Sequence, residues 1–351
     1  MRMSRKMEHV RHALEIGQDG RTGLADIKLV HNCLPGASTD SIALTTRIGD
    51  LIMSSPIFIN AMTGGAQETE AINRELAVIA REKGMAMAVG SQMSAIKNSE
   101  VASSYRIVRK VNPSGIVFAN LGSEATVEQT ERAVEMIEAN ALQIHLNVMQ
   151  ELIMPEGDRD FRRMLDRIAA IVDRLNVPVI VKEVGFGIMA EGAAKLKSVG
   201  VPVVDVGGSG GTNFAAIENA RRDIPLDWLN DWGHSTSCAL IESVSVYGRG
   251  QVLASGGIQT SLDVIRALSL GAAAAGMAGA FLRVLMQDGT EAAMKRADEL
   301  HDGLRIIMTA LGAHTIADLW TVPLVIGGET AAWCAARGIN TTEYARVRKL
   351  D

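Results

Sequence analysis

Eight times between residues 56 and 279 a short apolar run gives way to a stretch with helical periodicity, and this alternation constrains the fold most. The first four runs are PIFINAM (56–62), MAMAVG (85–90), GIVFANLG (115–122) and ALQIHLNV (141–148). The second four are VPVIVKEVG (177–185), VPVVDVGG (201–208), QVLASGG (251–257) and AAAAGMAG (272–279). Near-continuous apolar strands separated by helices predict a parallel sheet covered on both faces. After the fourth run, Phe161, Met164, Leu165, Ile168, Ile171, Val172 and Leu175 mark one stripe, with Arg and Asp opposite. The stretch TSLDVIRALSLG carries Thr, Ser and Asp in capping positions and closes on Gly271. Eight such units in about 250 residues predict an α/β fold of the (β/α)8 TIM-barrel type. The rival is a doubly wound open sheet, whose dinucleotide-binding form needs GxGxxG after the first strand. Here the first run leads into AMTGGAQ, which does not fit. Residues 1–55 stand outside the repeat as an N-terminal extension, and 280–351 read as C-terminal helices closing the barrel. The stretch 209–250 is longer than its counterparts and suits a loop or lid. No low-complexity linker divides the chain, so residues 1–351 read as one domain.

Composition narrows the function. The 34 glycines and 4% aromatic residues suit a compact fold with many tight strand-to-helix turns. A net charge of -5 leaves no basic surplus for neutralising phosphates, which argues against nucleic acid as a partner. Cys33, Cys238 and Cys334 are odd in number and far apart, so neither a disulfide framework nor a zinc site is expected, and a reducing cytoplasm fits. The start, MRMSRKMEHVRHALE, is charged throughout and unlike a signal peptide. The run GAAAAGMAGAFL is too short to span a bilayer, so no membrane partner is expected.

Barrel enzymes place their chemistry where the strands end. Those ends carry Thr63, Ser91 with Gln92, Asn120, His145 with Asn147, Lys182, Thr212, Gly256 with Gly257, and Ala278 with Gly279. The fourth run poses the sharpest question. Leu142, Ile144, Leu146 and Val148 share one face, while Gln143, His145 and Asn147 share the other. Buried without partners these groups would each cost kcal/mol, so side chains, water or a ligand must satisfy them. Asn120 before a glycine is also an ordinary turn residue, and a lone His145 is also an ordinary hydrogen-bonded core histidine. Lys182 on a strand has nowhere to extend except the barrel mouth, where it suits an anion or an electron-rich ring. Gly256 and Gly257 allow close backbone approach at the place where such barrels commonly hold a phosphate, although glycines also simply fit tight turns.

With these residues identified, the chain resembles the type 2 isopentenyl-diphosphate isomerases, which use FMN. The resemblance covers essentially the whole length. It rests on RKMEH (5–9), AMTGG (61–65), AVGSQMSA (88–95), HLNVMQE (145–151) and PEGDRDF (155–161). It continues through VKEVG (181–185), GGTNF (210–214), ASGGIQTSLD (254–263) and VIGGE (325–329). The resemblance implies flavin contacts from Ala61, Met62, Thr63, Ser91, Asn120, Lys182 and Thr212, with the phosphate over Gly256, Gly257, Ile258, Ala278 and Gly279. It implies substrate contacts from Arg5, Lys6, Ser91, Gln92 and Gln150, with catalytic parts for Gln150, His145 and Asn147, and Mg2+ on Glu151. Two departures matter: Gly207 stands where many members carry Ser, and Met93 where some carry Arg.

The implied reaction interconverts isopentenyl and dimethylallyl diphosphate. It moves a double bond without net oxidation, so the obstacle is protonating an unactivated alkene. Reduced FMN would stabilise the resulting positive charge. NADPH would serve only to reduce the flavin. A diphosphate suits Arg5 and Lys6, and Mg2+ commonly takes one or two carboxylates plus phosphate oxygens and water, which suits a lone Glu151. An amide does not titrate near neutrality, so Gln150 orients the alkene or relays a proton. The family further implies a homotetramer or homo-octamer. Two rivals stay open on the sequence: another FMN barrel of the 2-hydroxy-acid oxidase type, and a phosphate-binding barrel without catalysis. The first would need a histidine base and an arginine clamp, and no convincing pair lies near the late strands.

Overall fold

A computed structural model describes residues 21–346. All eight expected runs contain a strand: β1 (Ile57–Ile59), β2 (Ala86–Ala88), β3 (Val117–Gly122), β4 (Ala141–Leu146), β5 (Val179–Glu183), β6 (Val203–Asp205), β7 (Val252–Ser255) and β8 (Ala272–Met277). Each pairs in parallel with its neighbours, and β8 returns to β1 through Ala275↔Ile57 and Met277↔Ile59, closing the barrel. The helices between are α1 (Gln67–Glu82), α2 (Ser103–Val111), α3 (Val127–Met136) and α4 (Met164–Arg174). They continue with α5 (Ala190–Ser198), α6 (Thr236–Tyr247), α7 (Ser261–Ser269) and α8 (Gly279–Leu311).

Local chemistry explains the boundaries. Thr260 caps α7 by accepting from Asp263 N at 3.1 Å, and the Asp263 carboxylate accepts from Thr260 N at 3.0 Å. Beyond the end of α7 the chain turns at Gly271, φ +118°. Ile168 and Ile171 of the stripe on α4 are buried, with Met164, Leu165, Val172 and Leu175 packed beside them. The strand period of two divides β4 cleanly: Leu142 and Ile144 join the core under the helices, while Ala141 joins the barrel interior.

The lower interior is apolar. Phe58, Phe118, Ile180 and Leu253 fill it with several alanines, and the two phenylalanine rings meet edge-on at 5.9 Å. Ile48 and Met53 complete this cluster from a hairpin, Thr46–Ile48 with Leu51–Met53, whose Thr46 hydroxyl donates to Ala273 O at 2.7 Å. The bottom is therefore closed by the N-terminal extension rather than by C-terminal helices alone. The segment after residue 280 begins as α8 itself, broken at Gly289 (φ +86°), and later supplies Leu324–Ile326, which pairs antiparallel with Ile27–Leu29.

The long stretch from residue 209 folds into its own layer. A short helix, Phe214–Asn219, and a 3-10 turn, Asp227–Leu229, precede α6. Ala215 and Leu229 pack with Ile153 and Phe186 beside the top of β4 and β5. Among the described residues, no helix is long and apolar enough to cross a membrane.

Candidate active site

A cavity of about 610 Å³ opens at the C-terminal end of the barrel and takes lining from all eight strand ends. Its volume lies in the range of small-molecule and cofactor sites. One side is nearly bare backbone. A Cβ at Gly256 would stand 2.0 Å from Gly208 O, and one at Gly257 would stand 2.3 Å from Gly210 O. Both have positive φ, +110° and +71°, so only glycine lets the loops after β6 and β7 close here. Beside them α8 starts at Gly279. Leu282 N is the first to reach back into the helix, to Ala278 O at 3.1 Å, so the amides before it have no helical acceptor and suit an anion.

Above the apolar interior the inward residues turn polar and bind one another. Ser255 donates to Asp205, whose other oxygen accepts from Asn60 Nδ2 at 2.8 Å. Asn60 Oδ1 accepts from Gln143 Nε2 at 3.1 Å, and Gln143 Oε1 accepts from Asn120 Nδ2 at 3.2 Å. Asn120 Oδ1 lies 3.0 Å from His145 Nδ1. The polar row of β4 is thus satisfied first by side chains, and only its upper members, His145 and Asn147, reach the cavity. Lys182 is 7% exposed and donates to Glu183 O at 2.7 Å. The Glu183 carboxylate accepts from the amides of Val184, Gly185, Phe186 and Gly187, pinning the turn after β5.

A short helix follows β4, Val148–Ile153, and aims Gln150 and Glu151 at the mouth. Gln150 Nε2 donates to Glu218 Oε1 at 2.9 Å, and Glu218, fully buried, pairs with Arg221, which also meets Glu156. A carboxylate accepts only, so the amide nitrogen of Gln150 faces Glu218. Glu151 accepts from Asn147 Nδ2 at 2.8 Å and from Asp158 N at 2.9 Å. Arg159 fastens the following turn by donating to the carbonyls of Glu151, Met154, Gly157 and Asp158. Glu124 lines the same mouth. Burial, and secondarily the charges of Glu151 and Asp158, raise its carboxyl above the usual range.

The cavity gathers every expected flavin-contacting position: Ala61, Met62, Thr63, Ser91, Asn120, Lys182, Thr212, Gly256, Gly257, Ile258, Ala278 and Gly279. It also gathers Gln150, His145, Asn147 and Glu151. Gln92, expected among the substrate contacts, sits apart from these residues. It is fully buried and absent from the lining, with Nε2 donating to Ala133 O at 2.9 Å and Oε1 accepting from Asn120 N at 3.0 Å. Its amide fastens β3 and α3. Arg5 and Lys6 lie outside the described residues. Sequence reasoning missed Glu218 and Glu124, because neither ends a strand. Among the described residues no cluster of three or more His, Cys, Asp or Glu side chains could hold a metal unaided.

Comparison with known proteins fits this geometry. A family model described as FMN-dependent dehydrogenase matches residues 108–324. An isopentenyl-diphosphate delta-isomerase of Bacillus cereus (strain AH187) is 57% identical over 347 residues, covering 99% of each chain. The chain belongs to the isopentenyl-diphosphate delta-isomerase family. A Bacillus mycoides (strain KBAB4) member is 56% identical over the same span. Among solved structures, a mandelate oxidase variant with benzaldehyde superposes at TM-score 0.65 with 16% identity, covering 91% of this chain and 94% of that one. A Pediococcus acidilactici lactate oxidase gives TM-score 0.65 at 17% identity, covering 90% of this chain and 87% of that one. The oxidases share the barrel alone. The isomerase family shares nearly the whole chain.

Proposed function

We propose that this chain interconverts isopentenyl and dimethylallyl diphosphate with FMN as its resident cofactor, as an isomerase of isoprenoid synthesis. The observation that carries the reading is the match at 57% identity over 99% of the chain, joined to a cavity lined by every expected flavin position. The residues fit FMN on two counts. The glycines let the loops after β6 and β7 close into a wall of bare backbone, beside the α8 amides before Leu282, which have no helical acceptor and suit the phosphate. Lys182 brings a buried ammonium suited to an electron-rich ring. Bound reduced FMN supplies electron density that stabilises positive charge on the five-carbon unit.

The chain's own residues do the rest. Gln150, held by Glu218, presents its amide to the cavity and orients the alkene or passes a proton along. His145, Asn147 and Ser91, which line the same cavity, would contact the diphosphate. Arg5 and Lys6 pair with the phosphates as well. Glu151 would hold Mg2+, which would offset the charge of the diphosphate. Glu124 and Asp158 line the same mouth, and such a gathering of carboxyl groups suits a divalent cation. NADPH acts as reductant of the flavin. A reducing cytoplasm and a homotetramer or homo-octamer complete the reading.

The test is an absorbance spectrum of the purified protein before and after anaerobic NADPH, followed by an isomerase assay with Mg2+. A yellow protein that bleaches and then isomerises is expected; a colourless one that refuses added FMN refutes the reading. Gln150→Ala should keep the flavin spectrum and cut turnover by orders of magnitude, and unchanged turnover removes Gln150 from the mechanism.

A further inference from the structure

We infer that Gln143, which never reaches the cavity, fixes the tautomer of His145, so that Nδ1 carries a proton. The argument starts at Asn60. Its Oδ1 accepts from the backbone amide of Ala61 at 2.8 Å, and its Nδ2 donates to Asp205 Oδ2 at 2.8 Å. An amide N–H can only donate and a carboxylate oxygen accepts, so Asn60 cannot be reversed without breaking both bonds. Its oxygen then requires the nitrogen of Gln143, at 3.1 Å. That leaves Gln143 Oε1 for Asn120 Nδ2, at 3.2 Å, and Asn120 Oδ1 for His145 Nδ1, at 3.0 Å. Each amide has one donor end and one acceptor end, so the polarity set at Asn60 passes unchanged to the imidazole.

At Gln143 no water can rescue the opposite orientation, because that residue is fully buried and lies outside the cavity that Asn60 and Asn120 line. Asn60, Asn120 and Gln143 are 3%, 2% and 0% exposed. An acceptor fixed at Nδ1 lets the ring take a second proton on Nε2 without losing the Asn120 bond. Reversed polarity would hold Nδ1 unprotonated and penalise the charged ring. Gln143 is therefore a positioning residue acting through Asn120. The inference goes beyond the isomerase reading, because the tautomer is set without any substrate.

Nitrogen NMR of the full chain with FMN added and its histidine rings labelled with 15N tests this. The His145 signals are identified by their loss in His145→Gln. In the unsubstituted protein Nδ1 should be protonated. Gln143→Glu should preserve that state, since a carboxyl group can still accept from Asn120 Nδ2. Gln143→Met cuts the chain, and a population protonated on Nε2 alone should emerge. An unsubstituted protein with bare Nδ1 overturns the inference, as does a Gln143→Met spectrum identical to it. Should Gln143→Met fail to fold, the unsubstituted protein and Gln143→Glu still decide. The measurement needs no turnover, so a failed isomerase assay would leave its result standing.

Discussion

Gly207 shows how one hydrogen in place of a methyl group decides what a site can hold. Its φ is +48°, and a Cβ there would lie 2.1 Å from Glu183 O. Glu183 cannot yield, because its own carboxylate is tied to four amides of the next turn. A serine at this position would therefore require a different local backbone. Gly207→Ser should lose flavin retention and at least about 1 kcal/mol of stability, measured by bound flavin and urea unfolding. Normal values for both would mean that the turn yields. Glu124 sets a second expectation. Its folded carboxyl titrates above the ordinary 4.5, for burial first and its acidic neighbours second. Above that ordinary value the folded chain holds a proton that the unfolded chain has released, so stability falls as pH rises. Glu124→Gln should flatten the fall in unfolding free energy as pH rises above about 4.5. An unchanged slope would assign it to another group.

At the scale of elements, the turn after Val148–Ile153 depends on a residue with no assigned part. Arg159 belongs to the stretch PEGDRDF, and its guanidinium donates to four backbone carbonyls that bracket Glu151 and Asp158. Arg159→Ala should loosen both carboxylates and raise the Mg2+ concentration giving half-maximal turnover several-fold. The flavin spectrum should stay unchanged, because the glycine wall lies across the cavity. An unmoved metal requirement would place the cation elsewhere. What could be read in advance follows the same division. Apolar runs and helical stripes announce barrel units, since strand and helix periods are local properties. Groups at strand ends were therefore legible, Lys182 and the pair Gly256–Gly257 among them. The direction of the Gln92 amide was not legible, because the backbone path after β2 turns it toward α3, and one residue's rotation leaves no mark on periodicity. Glu218 stayed hidden because it meets Gln150 across 68 positions, from a helix inside a segment that reads only as a long loop.

At the scale of the whole molecule, the two ends of the barrel divide stability from chemistry. The polar layer beginning at Asn60, Gln143 and Asp205 separates the cavity from the apolar floor, so a change at the bottom has no direct path to a ligand at the top. The floor is completed by a hairpin that is not part of the repeat. Ile48 is fully buried against the same cluster as Phe58 and Phe118. Ile48→Ala removes three carbons from a close-packed interior. It should lower unfolding free energy by about 2–5 kcal/mol, the spread reflecting how far the hairpin settles into the vacated space. Flavin content and turnover, measured well below the lowered melting temperature, should match the unsubstituted protein. If turnover falls in step with stability, the floor and the rim are mechanically coupled, and the polar layer transmits strain instead of absorbing it.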